Sequence, residues 1–267
     1  SGRIRYGVMA AFEDDFKFDA ELNGNPVHLE GESSDYGVAR ILYEDAPGGA
    51  YKALGYISTA ILNDNRQAKT HGIDAHYLSA GGKLTFDGQL FLSDIVDEET
   101  GQGGFLDFEY NFRKGVTQRL GIEWADDHVN INDMGFIGRN SYRQIRTAHS
   151  RTNSDLSWAR TNEFDLRGFM QKNSDDLLSG AGIFLSNRTT FQNLDQFTIH
   201  MSYSPESYDD LNSFGNGTYR IEEQSFLGLS YDSDGSQEFS YGLGLGVQEE
   251  HLGDDTLISR LSFSWRP

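Results

Sequence analysis

The sequence predicts an all-β protein: an antiparallel, transmembrane-type (outer-membrane) β-barrel of about 14–16 strands. Apolar and polar residues alternate along most of its 267 residues, as in FLDFEYNF at 105–112. Aromatic residues make up 13% of the chain although its mean hydropathy is −0.55. Most strand windows hold about 8–12 residues, close to the roughly 9–11 that cross a bilayer. A soluble β-sandwich is the structural alternative, but its strands usually hold about 5–6 residues.

The first strand windows are separated by strong turn signals. Asn23-Gly24-Asn25-Pro26 is typical of a hairpin turn, and Pro47-Gly48-Gly49 separates two longer windows. The strands predicted here are 3–12, 16–22, 27–30, 36–44 and 51–62.

The middle of the chain has the clearest alternation. The sequence RLGIEW at 119–124 alternates cleanly, whereas Phe91 interrupts the polar side of its window. Residues 94–104 are acidic and glycine-rich, which predicts a loop because glycine weakens strand interiors. The strands predicted here are 72–79, 83–93, 105–112 and 119–126.

The last part of the chain begins with windows that are polar on both faces and then regains its alternation. In FSYGLGLGV at 239–247, large apolar residues alternate with serine and glycine. The strands predicted here are 144–150, 156–161, 164–170, 181–187, 197–203, 219–231, 239–247 and 257–265.

Composition restricts the function. The chain has 22 Lys plus Arg against 41 Asp plus Glu, a formal charge of −19, which disfavours binding to nucleic acid. It contains no Cys, so disulfides, thiol catalysis and thiolate metal sites are excluded. No apolar run approaches the roughly 18 residues of a membrane helix. No linker composition divides the chain, so residues 1–267 are expected to form a single β-barrel domain, which could be an incomplete segment of a larger barrel.

The stretch VNINDMGFIGRNSYR at 129–143 departs from the strand pattern. Its Gly and Asn residues suit a loop better than a pleated surface. Two interpretations remain open: a long hairpin loop, or a folded insert that enters or caps a barrel lumen. In the second case Asp133, Phe136 and Arg139 would face the lumen or its rim.

The polar faces of the predicted strands define a candidate lumen. Mixed charges on adjacent strands commonly form stabilising ion pairs, but a charged lumen can also select a ligand. The segment 142–167 contains five Arg and no Lys, and the Arg fork suits carboxylate or phosphate groups. The candidate ligand-binding residues on these strands are Asp107, Glu109, Arg143, Arg146, Arg167 and His200, and the same polar faces also hold Asp74, His76 and Asp87.

Signals for metal binding and catalysis are weak. The acidic loops 13–15, 94–99, 209–210 and 254–255 could collect Ca²⁺, but none has EF-hand spacing, and no cofactor is expected. An outer-membrane hydrolase is an alternative, with Ser150 near His149 or the carboxylates Asp107 and Glu109. No G-x-S-x-G or H-E-x-x-H motif supports it.

The stretch at 129–143 also carries a family resemblance. NDMGF at 132–136, followed by Arg139-Asn140, resembles the N-D-L-G-F-x-x-R-N/D signature of large Gram-negative outer-membrane proteins of unknown function. Leu42-Tyr43-Glu44, GIDAHY at 72–77 and residues 89–94 are similar to the same family, so the resemblance covers roughly residues 2–143. In that family a β-sandwich similar to carbohydrate-binding module family nine precedes a C-terminal barrel. The resemblance implies that the sequence given corresponds to the barrel part, and the family has no established catalytic residues.

The predicted function is a non-enzymatic outer-membrane β-barrel module. The resemblance implies contact with outer-membrane lipid and lipopolysaccharide. The charged lumen would bind or admit a polar ligand, with a polysaccharide or oligosaccharide as the candidate class. A structural anchor for a carbohydrate-binding domain and a hydrolase are the alternatives.

Overall fold

A computed structural model describes residues 2–22, 25–31, 33–63, 66–135, 137–213, 216–249, 253 and 255–266. These residues divide into two compact units. The N-terminal unit comprises Ser1–Leu106 and Glu123–Tyr142, and the C-terminal unit comprises Asp107–Ile122 and Arg143–Pro267. The single domain expected from the sequence stays a prediction.

The structure consists of strands and one 3₁₀ turn at Pro47–Gly49. The strands are β1 (Arg3–Phe12), β2 (Phe16–Leu22), β3 (Asn25–Gly31), β4 (Asp35–Asp45), β5 (Tyr51–Leu62), β6 (Gln67–Leu78), β7 (Leu84–Ile95), β8 (Gly101–Arg113), β9 (Val116–Ala125), β10 (Tyr142–Asn153), β11 (Ala159–Asn173), β12 (Leu178–Phe191), β13 (Gln196–Ser204), β14 (Ser207–Asp209), β15 (Tyr219–Ile221), β16 (Gln224–Asp232), β17 (Phe239–Glu249) and β18 (Thr256–Trp265).

Fourteen strands form one sheet, in the order β1-β4-β5-β6-β7-β8-β9-β10-β11-β12-β13-β16-β17-β18. The pairs β2–β3 and β14–β15 form separate two-stranded sheets. The antiparallel all-β class is therefore confirmed. The order of the large sheet is linear, and a closed barrel is not established by the pairings of the described residues. Within that part of the chain, no helix has the length and apolar character needed to cross a membrane.

In the N-terminal unit the sheet has one apolar and one polar face. Ile41, Tyr56, Ile73 and Leu90 stand opposite one another across β4, β5, β6 and β7. Their exposed fractions are 48%, 41%, 54% and 54%, so no second layer covers them among the described residues. Successive strand residues point to opposite faces, which places Asp74 on the polar face.

The C-terminal unit repeats this division. Met201, Leu227, Val247 and Leu257 align across β13, β16, β17 and β18 and are 44–75% exposed. His200 lies on the opposite face. Large apolar side chains of a soluble antiparallel sheet normally pack against a second layer, so these apolar faces need another explanation.

Buried apolar side chains are few. The described residues of this kind are mostly small alanines, and the full set is Ala53, Ile61, Ala68, Ile95, Ala125, Val129 and Ala159. Long antiparallel ladders, rather than a packed apolar core, therefore organise the described chain.

The predicted loop at 94–104 is too long, because β8 already begins at Gly101. A Cβ on Gly103 would lie 2.5 Å from the Phe91 ring, and one on Gly104 would lie 2.9 Å from Trp124. These glycines belong to a strand because neighbouring side chains occupy the space that their own would need. The same contact explains Phe91 on a polar face, since its ring covers Gly103.

Two other strand predictions are wrong. The windows 156–161 and 164–170 belong to one strand, β11, that begins only at Ala159. The predicted strand 219–231 is divided into β15, which pairs with β14, and β16, which joins the large sheet. A local hydrogen-bond cluster around Asp209 fixes the β14–β15 hairpin and so separates the two strands.

The Asp209 cluster makes the hairpin sensitive to acid. Burial raises the pKa of Asp209. This effect is outweighed by hydrogen bonds from the Asn212 side chain, the Asn212 and Leu211 amides and the Tyr219 hydroxyl, which together lower the pKa to about 2. Because the ordinary value is 3.8, the carboxylate stabilises the hairpin above roughly pH 4, and this contribution is lost as the pH falls toward 2. The Asn212 amide NMR shift should follow this titration. Asp209→Asn should abolish the shift change, and its persistence in that variant would contradict the assignment.

Candidate functional site

The segment between β9 and β10 is a folded structure within the N-terminal unit. Here it is called the β9–β10 segment and comprises residues 126–141. The Arg66 guanidinium donates to both oxygens of Asp133, with Nε–Oδ1 and Nη2–Oδ2 distances of 3.0 Å. The bond with Asp133 raises the pKa of Arg66. Glu98 adds a second carboxylate 3.6 Å from Arg66 Nη1.

A second anchor joins the segment to the polar face of β7. The Ser93 hydroxyl donates to the Asn130 carbonyl at 2.6 Å and accepts from the Asn130 amide at 3.2 Å. Ser93 and Val129 are each only 1% exposed. A Cβ on Gly101 would lie 2.5 Å from Val129 Cα, so this glycine lets the segment approach β8. The segment therefore lies against the polar face of the unit.

Hydrogen bonds inside the segment explain its asparagines. Asn132 accepts from the Ile137 amide at 2.8 Å, and Asn140 donates to the carbonyls of Asp127 and Val129. These side chains replace the ladder partners that an irregular backbone lacks. The interpretation as a folded insert is thus favoured over an extended hairpin loop. Arg139 is half-buried in the segment, and Phe136 lies outside the described residues.

We expect Arg66→Ala to loosen the β9–β10 segment. The pair is partly exposed, so its charged hydrogen bonds should contribute about 1 kcal/mol. Hydrogen exchange of the amides at 129–135 should accelerate roughly five- to tenfold, as measured by mass spectrometry. Arg188→Ala is a matched control, because Arg188 Nη1 lies 3.9 Å from Glu163 on an exposed strand surface. Unchanged hydrogen exchange in Arg66→Ala would show that Arg66 does not anchor the β9–β10 segment.

In the C-terminal unit, Asp107 and Arg146 are brought together on the polar face. Arg146 Nη2 lies 2.9 Å and 3.1 Å from the two carboxylate oxygens of Asp107. A Cβ on Gly121 would lie 2.5 Å from Arg146 Nε and 2.6 Å from Asp107 Oδ1. Because Gly121 on β9 has no side chain, Asp107 on β8 and Arg146 on β10 can form an ion pair across the surface of β9.

Two further glycine-spanned ion pairs are found in the part of the chain that the structure describes. In the N-terminal unit, Arg40 on β4 reaches Asp74 on β6 over Gly55, where a Cβ would lie 2.5 Å from the carboxylate. In the C-terminal unit, Arg260 on β18 contacts Asp232 on β16 over Gly242. Each pair ties three strands together on a polar face.

The other predicted site residues lie at separate positions in the C-terminal unit. Arg119 donates to Glu109 at 2.7 Å, and Arg143 pairs with Asp176 beyond the end of β11. Arg167 Nε lies 2.5 Å from Asp165. His200 is exposed on β13, opposite Ser186 and Gly228. These arginines therefore contact carboxylates of the chain, and a ligand-binding role for any of them stays a prediction.

Among the residues that the structure describes, no histidine contacts Ser150 on its own face of β10. Its hydroxyl donates to Asp165 at 2.7 Å. His149 is the adjacent strand residue, so it points to the opposite face, where it contacts Gln118 and the ring of Phe164. Asp107 and Glu109 are engaged by arginines. Ser150 and His149 therefore do not form a nucleophile–base pair, and the hydrolase alternative stays a prediction.

The acidic loops show no preformed metal site in the part of the chain that the structure describes. No group of three or more His, Asp or Glu side chains there could hold a metal ion. Asp15 accepts from the Ser33 amide, and Asp209 accepts the bonds given above. Asp254 lies outside the described residues. Calcium binding at these loops stays a prediction.

One polar cluster was predicted only as part of the polar faces, without Arg40 and without its contacts. His76 lies between two carboxylates, with Nδ1 2.6 Å from Asp87 and Nε2 3.1 Å from Asp74. Asp74 is 5% exposed and also accepts from Arg40. Alternation assigns these residues to one face, but strand register alone brings Arg40 to Asp74.

The described fold and contacts define a class: an antiparallel β-sheet protein with an exposed apolar face and an ion-paired polar face. Residues 53–266 match the family described as "Domain of unknown function (DUF5916)". The chain therefore belongs to this family. No curated protein is found to match the sequence. The match is compatible with the predicted membership in a family of unknown function, whereas the outer-membrane barrel and an accompanying carbohydrate-binding domain stay predictions.

Proposed function

We propose that this chain is a non-enzymatic outer-membrane β-barrel module. In this proposal the apolar faces contact membrane lipid and lipopolysaccharide, and the polar faces line a lumen that binds or admits a polar ligand such as an oligosaccharide. The ladder order given above would then be part of a barrel wall.

The proposal rests on one observation: large apolar side chains that pair across neighbouring strands form rows, and these rows are exposed. In the N-terminal unit these rows include Ile41, Tyr56 and Ile73, and in the C-terminal unit Met201 and Leu227. Contiguous exposed apolar surface marks a membrane or partner contact. Sheets of 9- to 15-residue strands are long enough for a bilayer crossing that needs about 9–11 residues.

Aromatic residues at strand ends support the membrane interpretation. Phe239 aligns with Trp265 and Tyr241 aligns with Phe263 at one end of the apolar face of β17 and β18. All four are 45–66% exposed. Membrane barrels place such rings at the lipid–water interface.

The polar faces fit an aqueous lumen. Some of their charges are paired with neighbours, as in Asp107–Arg146 and Arg167–Asp165. A wall of this kind needs water on its polar side. The β9–β10 segment lies on this side in the N-terminal unit, which favours a narrowed lumen and keeps the anchor alternative open.

The test uses the full chain refolded in detergent and then inserted into planar bilayers. A membrane barrel should migrate differently on gels before and after boiling, and should insert into vesicles. An unheated sample that migrates like the boiled one, together with failure to insert, would contradict the barrel. Discrete conductance steps would support an open lumen, whereas a folded and inserted but silent chain would support the anchor role.

A further inference from the structure

A hollow on the polar face of the N-terminal unit has the features of a ligand site. Its volume is about 280 Å³. Its polar lining comprises Arg40, His76, Thr85 and Asp87, and its apolar lining comprises Leu42, Tyr51, Tyr77 and Leu78. Small-molecule sites are typically concave, mostly apolar and equipped with a few placed polar groups. We propose that this hollow binds one ring of a neutral sugar.

The donors and acceptors of the hollow select the ligand's functional group. Arg40 contacts Asp74 through Nη2 alone, so the N–H groups on Nε and Nη1 have no partner among the described residues. Asp87 uses Oδ1 for His76, which leaves Oδ2 to accept. A hydroxyl group accepts from a guanidinium and donates to a carboxylate. Two neighbouring hydroxyls of a sugar can therefore bind both Arg40 and Asp87. A carboxylate could only accept from Arg40, and an amine could only donate to Asp87.

The charges of the hollow favour a neutral ligand. The carboxylate of Asp74 accepts from Arg40 at 3.0 Å, and the two ring nitrogens of His76 lie 3.1 Å from Asp74 and 2.6 Å from Asp87. Arg40 is already paired with Asp74, and Asp87 is already in contact with His76, so an added ionic group would not meet an unpartnered counter-ion. The proposed ligand therefore differs from the phosphate that a lone arginine would attract.

Size and apolar surface point to a single ring. The volume is slightly below the roughly 300–1,000 Å³ of drug-sized pockets. Leu42, Leu78 and the half-exposed ring of Tyr51 offer apolar contact to the C–H groups of a sugar. The Tyr51 hydroxyl also donates to Glu44 at 3.4 Å, which helps to orient the ring that lines the hollow.

This proposal rests on the proposed function in one respect: if the polar face lines a barrel lumen, sugars that enter the barrel can reach the hollow. The two proposals fail separately. Gel migration and vesicle insertion report the barrel, and sugar binding by the refolded chain reports the hollow.

The experiment titrates glucose, galactose and mannose, each into the tens of millimolar, against the refolded full chain, with saturation-transfer NMR as the readout. We expect saturable binding of at least one sugar, weakened at least tenfold in Asp87→Ala and in Tyr51→Ala. Asp94→Ala is the control, because Asp94 lies on the same strand and points to the opposite face. Its affinity should equal that of the wild type.

Three results would overturn the proposal. The first is the absence of saturable binding by wild-type chain that passes the gel-migration test. The second is an equal loss of affinity in Asp94→Ala. The third is binding of inorganic phosphate, but of none of the three sugars, in a parallel titration. Arg40→Lys adds a variant that keeps the charge; it should weaken sugar binding because the lysine ammonium lacks the guanidinium's fork of donors.

Discussion

Met201→Arg should lower the free energy of unfolding of the chain in a lipid bilayer by about 2–4 kcal/mol, the cost of a cation on the lipid face near the bilayer midplane. Met201 is 48% exposed and lies in the middle of β13, between Leu185 and Leu227. On a soluble sheet a residue of that exposure would tolerate the change within about 0.5 kcal/mol. The change in the free energy of unfolding therefore distinguishes a lipid-facing Met201 from a water-facing one.

The matched control is Ser202→Arg, one residue further along the same strand. Ser202 lies on the polar face, opposite Phe184 and Phe226. An arginine there would reach water and the faces of these rings. Denaturant unfolding of both variants in vesicles measures the difference. Equal stability of the two variants would show that the Met201 face is not in contact with lipid.

Gly55→Ala should lower the free energy of unfolding by about 1–3 kcal/mol through overpacking. A Cβ at this position would lie 2.5 Å from Oδ2 of Asp74. Asp74 is held by Arg40 and His76, so it cannot move without loss of those bonds. The substitution would therefore either strain β5 or break the glycine-spanned ion pair.

Gly37→Ala is a control that should change the free energy of unfolding in the opposite direction. Gly37 lies on the neighbouring strand β4, and nothing lies within 4 Å of its added Cβ. Alanine should stabilise this strand by about 0.5–1 kcal/mol, because glycine loses more backbone entropy on folding. Urea unfolding of both variants gives the comparison. A Gly55→Ala chain as stable as Gly37→Ala would mean that the Asp74 contact contributes nothing.

Strand periodicity carried most of the fold prediction. The windows 3–12 and 51–62 coincide with β1 and β5, because alternation with period two reports directly which residues face the apolar side. The errors fall at three places: glycines enter a strand at 101–104, the windows 156–161 and 164–170 belong to one strand, and the window 219–231 crosses from a hairpin into the large sheet. At these places neighbouring strands, rather than local propensity, decide the conformation.

The candidate site was predicted only in part. The sequence identified the β9–β10 segment as unusual and named Asp133, but not its partner Arg66, which lies 67 positions earlier. Arg146 and Asp107 were both candidates, yet nothing local indicates that Gly121 lets them meet. Arg40 was missed because it becomes notable only when the register places it near Asp74.

The sequence by itself determined the antiparallel all-β class, the division of each strand into an apolar and a polar side, and the departure of residues 129–143 from that pattern. These properties follow from side-chain alternation and from local turn preferences, which neighbouring residues along the chain specify. The tertiary structure alone decided which charges pair, which glycines lie beneath those pairs, and where the β9–β10 segment is anchored. Such contacts depend on the register between strands, and register brings together residues that no local pattern connects.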